Sequence, residues 1–247
     1  MSTWLKITLT AIVALFVVRL AIGLIQPLLP AAAPEPTASF TQLPTNTDTP
    51  RPQPTNTLRP TRTPSPSPTN VPLSSILYEE DFEDGRAQGW ETYFSTWTIE
   101  QEGSNYFWVG TGPENYPQAW LAETSQWENY AFEARVRIRS GGVFFCVRAD
   151  TGSSFYNVFI NSNDTNIQFA QYLNGNYELF GNGRVSILRN KWYTMRFEVE
   201  GTDLRFYIDN KLILKTNSNG ISSGGVGFYM GGGDEIHFDD MLIWQLD

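Results

Sequence analysis

From Ile76 onward, apolar and polar positions alternate with period 2, and clusters of turn residues interrupt the alternation at intervals of about 8–12 residues. The clearest run is Phe132-Glu133-Ala134-Arg135-Val136-Arg137-Ile138-Arg139, which stops at Ser140-Gly141-Gly142. Successive side chains on a strand point to opposite faces, so Arg135, Arg137 and Arg139 share one side. Val143 to Ala149 is apolar at nearly every position, which predicts a central strand covered on both faces. Further strands are predicted at Phe155–Ile160, Ile167–Leu173, Tyr177–Phe180, Trp192–Val199, Leu204–Ile208, Leu212–Leu214, Gly224–Met230 and Ile236–Trp244. Asn174-Gly175 is a two-residue hairpin signal, and Asp209-Asn210 marks another turn. No long segment carries a helical period. The pattern predicts an all-β domain over residues 74–247, a two-sheet antiparallel jelly-roll sandwich.

Residues 1–73 read differently. Ile7 to Ile25 is an apolar run interrupted by one charge, Arg19. Its length suits a transmembrane helix and exceeds the apolar core of a cleavable signal. Arg19 costs roughly 2.5–3.5 kcal/mol at mid-span, which the surrounding Leu, Ile, Val and Phe offset at about 0.3–0.6 kcal/mol each. Lys6 precedes the run and no basic residue follows it until Arg51, so the positive-inside rule places the N-terminus in the cytoplasm. Residues 1–30 are expected to be a signal-anchor in the cell membrane, single-pass, with the C-terminal domain extracellular. The alternative is cleavage at Ala31 to Ala33, which would release a secreted domain. Residues 31–73 hold 11 prolines and 10 threonines, a composition that favours an extended, disordered linker. At about 3.1 Å per residue it could reach on the order of 120 Å.

Charge narrows the partners. The chain has a formal net charge of −9, and residues 74–247 carry 12 basic against 24 acidic side chains. A domain so acidic repels a phosphate backbone, so nucleic acid is excluded as a partner. Cys146 is the sole cysteine, which excludes an intrachain disulfide and a cysteine zinc site. Within Val143-Phe144-Phe145-Cys146-Val147 it reads as a small buried hydrophobe.

The stretch Gly233 to Trp244 concentrates the ionisable chemistry. Strand alternation puts Glu235, His237 and Asp239 on one face, and Ile236, Phe238, Asp240 and Leu242 on the other. His237 is the only histidine. The triplet reads either as a catalytic set or as the solvent-facing side of a closing strand, with His237 at the surface. Glycan chemistry has a second signature, aromatic rings on which sugar C–H faces stack. Trp97, Trp108, Tyr116, Trp120 and Trp127 are the candidates, in a segment dense in aromatic residues. Tyr156, Tyr172, Tyr177 and the three arginines are further ones. The arginines are expected to pair with carboxylates across neighbouring strands.

The domain resembles the concanavalin A-like lectin/glucanase sandwich, of the laminin G-like sort. The matching residues are Asp81-Phe82-Glu83-Asp84-Gly85 with Gly89-Trp90, Tyr130 to Ala134, Gly142 to Phe145, Lys191 to Arg196, Tyr207 to Asn210, Gly225 to Phe228 and Phe238 to Met241. Such a resemblance implies fold more than function, because this fold hosts lectins, glycosidases and inert spacers. Family 16 glycoside hydrolases on this fold carry Glu-x-Asp-x-Glu on one strand. Here His237 takes the middle place and the shorter Asp239 the last, so the Glu235 and Asp239 carboxyls are harder to bring to the roughly 5–5.5 Å of a retaining pair. A likeness to 3-keto-disaccharide hydrolase-like domains carries over no catalytic residue. The resemblance also implies a structural Ca²⁺ between first and last strands, for which Asp81, Glu83, Asp84, Asp239 and Asp240 offer hard oxygen ligands. The sequence therefore points to a membrane-anchored extracellular module that binds a glycan or surface polysaccharide, or is adhesive, without catalysis. The alternatives are a glycoside-active hydrolase using Glu235 and Asp239, and a structural surface spacer.

Overall fold

Alternating sequence becomes sheet wherever a turn lets two such runs pair. Among the described residues of the computed structural model, which are 71–246 apart from 113–115, 123, 125, 151 and 152, fifteen strands form. They are β1 (Ile76–Glu80), β2 (Trp90–Tyr93), β3 (Thr96–Glu102), β4 (Asn105–Thr111), β5 (Gln118–Leu121), β6 (Tyr130–Ser140), β7 (Gly142–Asp150) and β8 (Ser154–Asn161). The remainder are β9 (Asn166–Leu173), β10 (Asn176–Arg184), β11 (Trp192–Glu200), β12 (Asp203–Ile208), β13 (Lys211–Asn217), β14 (Gly225–Met230) and β15 (Glu235–Gln245). The anchor expected at 1–30 and the linker up to residue 70 lie outside the described residues. Among those described, no helix is long and apolar enough to cross a membrane.

Two antiparallel sheets make the sandwich. Sheet A runs β13-β12-β11-β6-β15-β4-β3, with β1 also paired to β15; sheet B runs β10-β9-β8-β7-β14-β5-β2. The Val143–Ala149 run is central in sheet B, as its two-sided apolar pattern predicts. Asn174-Gly175 joins β9 to β10, and Asp209 and Asn210 turn β12 into β13, both with positive φ. The strands predicted from alternation do not include β1 to β5, although Thr96-Trp97-Thr98-Ile99-Glu100 in β3 has period 2.

Aromatic rings join the sheets. Phe132 of sheet A meets Phe145 of sheet B at 4.6 Å between centroids, and Phe228 meets Phe238 at 4.1 Å. All four are fully buried; burying such a ring contributes roughly 1.5–3 kcal/mol. Cys146 is also buried, as a small hydrophobe.

One end of the sandwich is tied by a buried arginine. Arg148 donates to the carbonyls of Glu128, Gly201 and Ile221 at 2.8–3.1 Å. Its own backbone N–H donates to the Tyr130 hydroxyl at 2.7 Å, and that hydroxyl faces the Gly224 and Gly225 carbonyls. A guanidinium presents its donors in a fixed fork, so one side chain satisfies carbonyls from three loops that would otherwise be buried unpaired.

β15 departs from simple alternation. The register shifts between Asp239 and Leu242, and Asp240 has φ 43°. This bulge inserts one residue, so Ile236 and Phe238 face the core before it, and Met241 and Ile243 after it. The expectation that Asp240 and Leu242 share the Ile236 and Phe238 face is corrected accordingly.

Candidate functional site

The two outer faces of the sandwich have opposite chemistry. Sheet A's is ionic. Arg135 pairs with Asp239 and Asp240, Arg137 with Glu102, Arg139 with Glu235, and Arg196 with Glu133 and Glu198. Arg205 pairs with Glu198, Glu200 and Asp203, and Asp203 also with Lys215. The three arginines of β6 thus pair across strands, as expected from their alternation.

Glu235, His237 and Asp239 do share this face, but not as a solvent-facing triplet. His237 is buried, stacked on Phe107 at 4.9 Å with Trp192 at 6.4 Å, which corrects its expected surface position. Asp239 is 1% exposed. Its Oδ2 accepts from Asn105 Nδ2 at 2.9 Å and Arg135 at 3.3 Å, while Oδ1 accepts the Asp240 N–H. Burial, then the adjacent Asp240 charge, raise its pKa to about 6; the bonds from Asn105 and Arg135 offset part of this. The Asp239 oxygens are enclosed by protein donors, so they have no open approach for a sugar's anomeric carbon.

The carboxylates expected to hold calcium are engaged by protein donors. Among the described residues, no three His, Cys, Asp or Glu side chains gather to hold a metal ion. Asp81 Oδ1 accepts the Glu83 N–H, Asp84 accepts from the Arg86 N–H and Gln88 Nε2, and Glu83 accepts the Tyr106 N–H. Asp239 and Asp240 are bound to Arg135. These groups serve backbone turns and an arginine. Glu80, which sequence reading overlooked, holds the opening loop by accepting the Phe82 and Gln88 N–H groups.

Sheet B's outer face is mainly aromatic, with one carboxylate at its β2 edge, Glu91, whose Oε2 accepts from the Tyr93 hydroxyl at 2.8 Å. Strands β5, β8, β9 and β14 contain no Asp, Glu, Lys or Arg. Register places Tyr93, Gln118, Tyr229, Phe144, Phe159 and Gln168 in one row across the strands. Tyr229 meets Phe144 edge-on at 5.6 Å, Phe144 stacks on Phe159 at 4.4 Å, and Tyr116 stacks on Tyr229 at 5.9 Å. Tyr93 is exposed and Tyr116, Tyr229, Phe144 and Phe159 are half-exposed. At about 4.8 Å per strand, Tyr93 to Phe159 spans on the order of 20 Å.

A parallel row is Phe155, Tyr172 and Tyr177. Between the rows lie small groups, Gly227, Cys146, Asn157 and Ala170. Trp120 lies flat on Gly227, where a Cβ would stand 2.1 Å from the indole, and its Nε1 donates to Gln118 Oε1 at 3.2 Å. Asn157 is 0% exposed and Tyr172 6%. Tyr177 donates a long 3.4 Å bond to Asn157 Oδ1, and its buried hydroxyl is pushed up to about 12. Among the described residues, Asn157 Nδ2 and the Tyr172 hydroxyl have no partner.

Of the five expected platform residues, only Tyr116 presents a half-exposed ring on this row. Trp108 and Trp120 are 2% and 3% exposed, which corrects their assignment as sugar platforms, since a covered ring has no free face. Trp97 turns inward against Trp108 at 4.3 Å, and Trp127 packs edge-on to Tyr130 at 5.7 Å. Phe144, Phe159 and Tyr229 were missed. The one sequence signal for them was the continuous apolar run of β7, where the outward Phe144 is as hydrophobic as the inward Phe145.

No protein-family model and no curated protein matches the chain. Solved structures do match in shape. A carbohydrate-binding module, CBM66 from Bacillus subtilis, superposes with TM-score 0.55 at 18% identity, covering 64% of this chain and 96% of that one. Domain 4 of AbnA, an extracellular arabinanase from Geobacillus stearothermophilus, was solved with arabinotriose. It gives TM-score 0.52 at 14% identity, covering 69% of this chain and 92% of that one. The exoplasmic/lumenal domain of VIP36, in a form bound to Ca²⁺ and Man3GlcNAc, gives 0.51 at 12%, covering 64% and 84%. At these identities the likeness is one of fold, and it agrees with a lectin-like sandwich; no family model confirms the family 16 glycosidase likeness in particular.

Proposed function

We propose that this chain is a carbohydrate-binding module held outside a cell membrane by the apolar segment at 7–25 and the Pro/Thr-rich linker. The single observation that carries the glycan reading is the aromatic row on sheet B, from Tyr93 through Tyr229 and Phe144 to Phe159. Flat rings flanked by amides such as Gln118 and Gln168 meet a sugar's two surfaces, its C–H face by stacking and its hydroxyls by hydrogen bonding. Structural neighbours that carry carbohydrate names support the reading. The anchor rests on the length and charge asymmetry of residues 1–30, and display outside the cell follows from it. The module is non-catalytic in this reading, because Asp239, the partner a glycosidase would need for Glu235, is enclosed by Arg135 and Asn105.

Titration of the 247-residue chain with oligosaccharides tests this, using Tyr229→Ala and Phe144→Ala as site variants. Binding lost in both places the ligand on this row. Binding kept in both but lost in a sheet A variant such as Trp192→Ala moves it to the other face. Silence across a broad glycan panel supports the spacer instead.

A further inference from the structure

Most buried polar side chains in a folded domain have hydrogen-bond partners, so two adjacent ones without them call for a reason. Asn157 and Tyr172 lie on neighbouring strands β8 and β9, on the outer side of sheet B, both more than nine-tenths buried. Among the described residues, Asn157 Nδ2 and the Tyr172 hydroxyl find no hydrogen-bond partner. Rings stand beside them: Phe155 stacks on Tyr172 at 5.5 Å, and Trp120 meets Phe155 at 5.7 Å. The cover over Asn157 includes Tyr177, an exposed residue on β10, the edge strand of sheet B. Its bond to Asn157 is long, 3.4 Å, and β10 carries a register shift between Leu179 and Gly181.

We infer that Asn157 and Tyr172 form a polar subsite within the glycan-binding face, closed by Tyr177, which reads the hydroxyl and ring oxygens of an uncharged sugar. The inference rests on the proposed function and names its ligand class. Both unpartnered groups can donate, an amide N–H and a phenol O–H, so the complementary ligand atoms are acceptors. The absence of charged side chains on β5, β8, β9 and β14 leaves nothing to neutralise a uronate, sulfate or sialate carboxylate there. A carboxylate driven into this ring-lined space would lose its hydration without gaining a cation. The arginines on sheet A are already paired with carboxylates. When the Tyr177 ring swings aside, Asn157 Oδ1 is also freed, adding an acceptor for one sugar hydroxyl.

Calorimetric titration of the full chain with neutral trisaccharides of arabinose, mannose, glucose, xylose, galactose and fructose, and with trigalacturonic acid, is the test. Tyr172→Phe removes a single oxygen, and Asn157→Leu replaces the amide by an apolar group of similar volume. The expected result is that a neutral trisaccharide binds, trigalacturonic acid does not, and each variant weakens binding by roughly tenfold or more. Thermal unfolding should show both variants at least as stable as the parent, because a merely structural amide or hydroxyl would lower the midpoint when removed. Neutral sugar bound equally by both variants, yet lost in Tyr229→Ala, would overturn the subsite and leave the function standing. Binding of trigalacturonic acid alone would overturn the ligand class. No binding by any of these sugars would overturn the proposed function and the subsite together.

Discussion

Arg137 donates to Nδ1 of His237, with NH2 at 2.9 Å and Nε at 3.2 Å. Because a guanidinium cannot accept, Nδ1 must be the bare nitrogen. The proton therefore sits on Nε2 and is donated to Glu235 Oε1 at 2.8 Å. Burial, and secondarily the Arg137 charge, hold His237 below its ordinary 6.5 against the opposing pull of Glu235. With one histidine in the chain, nitrogen NMR gives one unambiguous pair of ring signals. They should report a neutral Nε2–H imidazole at pH 6.5; an imidazolium at that pH would refute the assignment. The sign for stability follows. A lowered folded pKa makes the folded state bind its proton later, so stability is lost as pH falls below about 6.5 through the folded value.

Asp239 works in the opposite direction. Its folded pKa of about 6 lies above the ordinary 3.8, so its protonated form favours the fold. That contribution is fully present below about pH 4 and is lost as pH rises through 6. Asp239→Asn removes the titration. Urea midpoints compared at pH 4.5 and 7 should show the parent losing ground to the variant at the higher pH, by about 2 kcal/mol. A pH-independent difference would refute the shift.

Arg148→Met keeps much of the side-chain volume but leaves the Glu128, Gly201 and Ile221 carbonyls without their donor. Loss of a buried charged donor to three acceptors should cost roughly 3–5 kcal/mol, measured by denaturant unfolding. A loss below about 1 kcal/mol would mean that water or loop relaxation satisfies those carbonyls.

Gly227→Ala places a methyl where the Trp120 ring lies. The indole must move off the sheet, so its fluorescence should shift and stability fall by about 1–3 kcal/mol, the usual cost of overpacking. An unchanged spectrum and midpoint would show that Trp120 does not lie flat on this strand.

Chelation should leave the fold alone. Since Asp81, Glu83 and Asp84 serve the opening loop and Asp239 and Asp240 serve Arg135, the thermal midpoint should be the same with calcium and with EDTA. A calcium-dependent rise would reveal ligands among groups other than these five.

Most of the sheet was legible in the sequence, the site far less so. β6 through β15 follow from period-2 runs separated by Gly, Asn and Asp, because backbone alternation is a local property that each segment declares for itself. The cross-strand pairing of Arg135, Arg137 and Arg139 was legible too, since like charges on one face demand carboxylates beside them. Trp108 and Trp120 could not be placed that way. A tryptophan on the inward side of β4 and one on the outward side of β5 have the same local pattern, and both end up covered.

What the sequence determined by itself was periodicity, turn position and charge: an all-β domain, acidic overall, with ionic and apolar positions segregated strand by strand. What only the tertiary structure decided was which side chains share a surface. One inserted residue at Asp239 and Asp240 reversed the facing of the last half of β15. The pairing of β14 with both β5 and β7 brought Tyr229, Phe144 and Gln118 together from three separate stretches. Asn157 and Tyr172 became unpartnered only because neighbouring strands and rings closed over them. Burial and juxtaposition depend on contacts between residues far apart in the chain, and no local pattern encodes those.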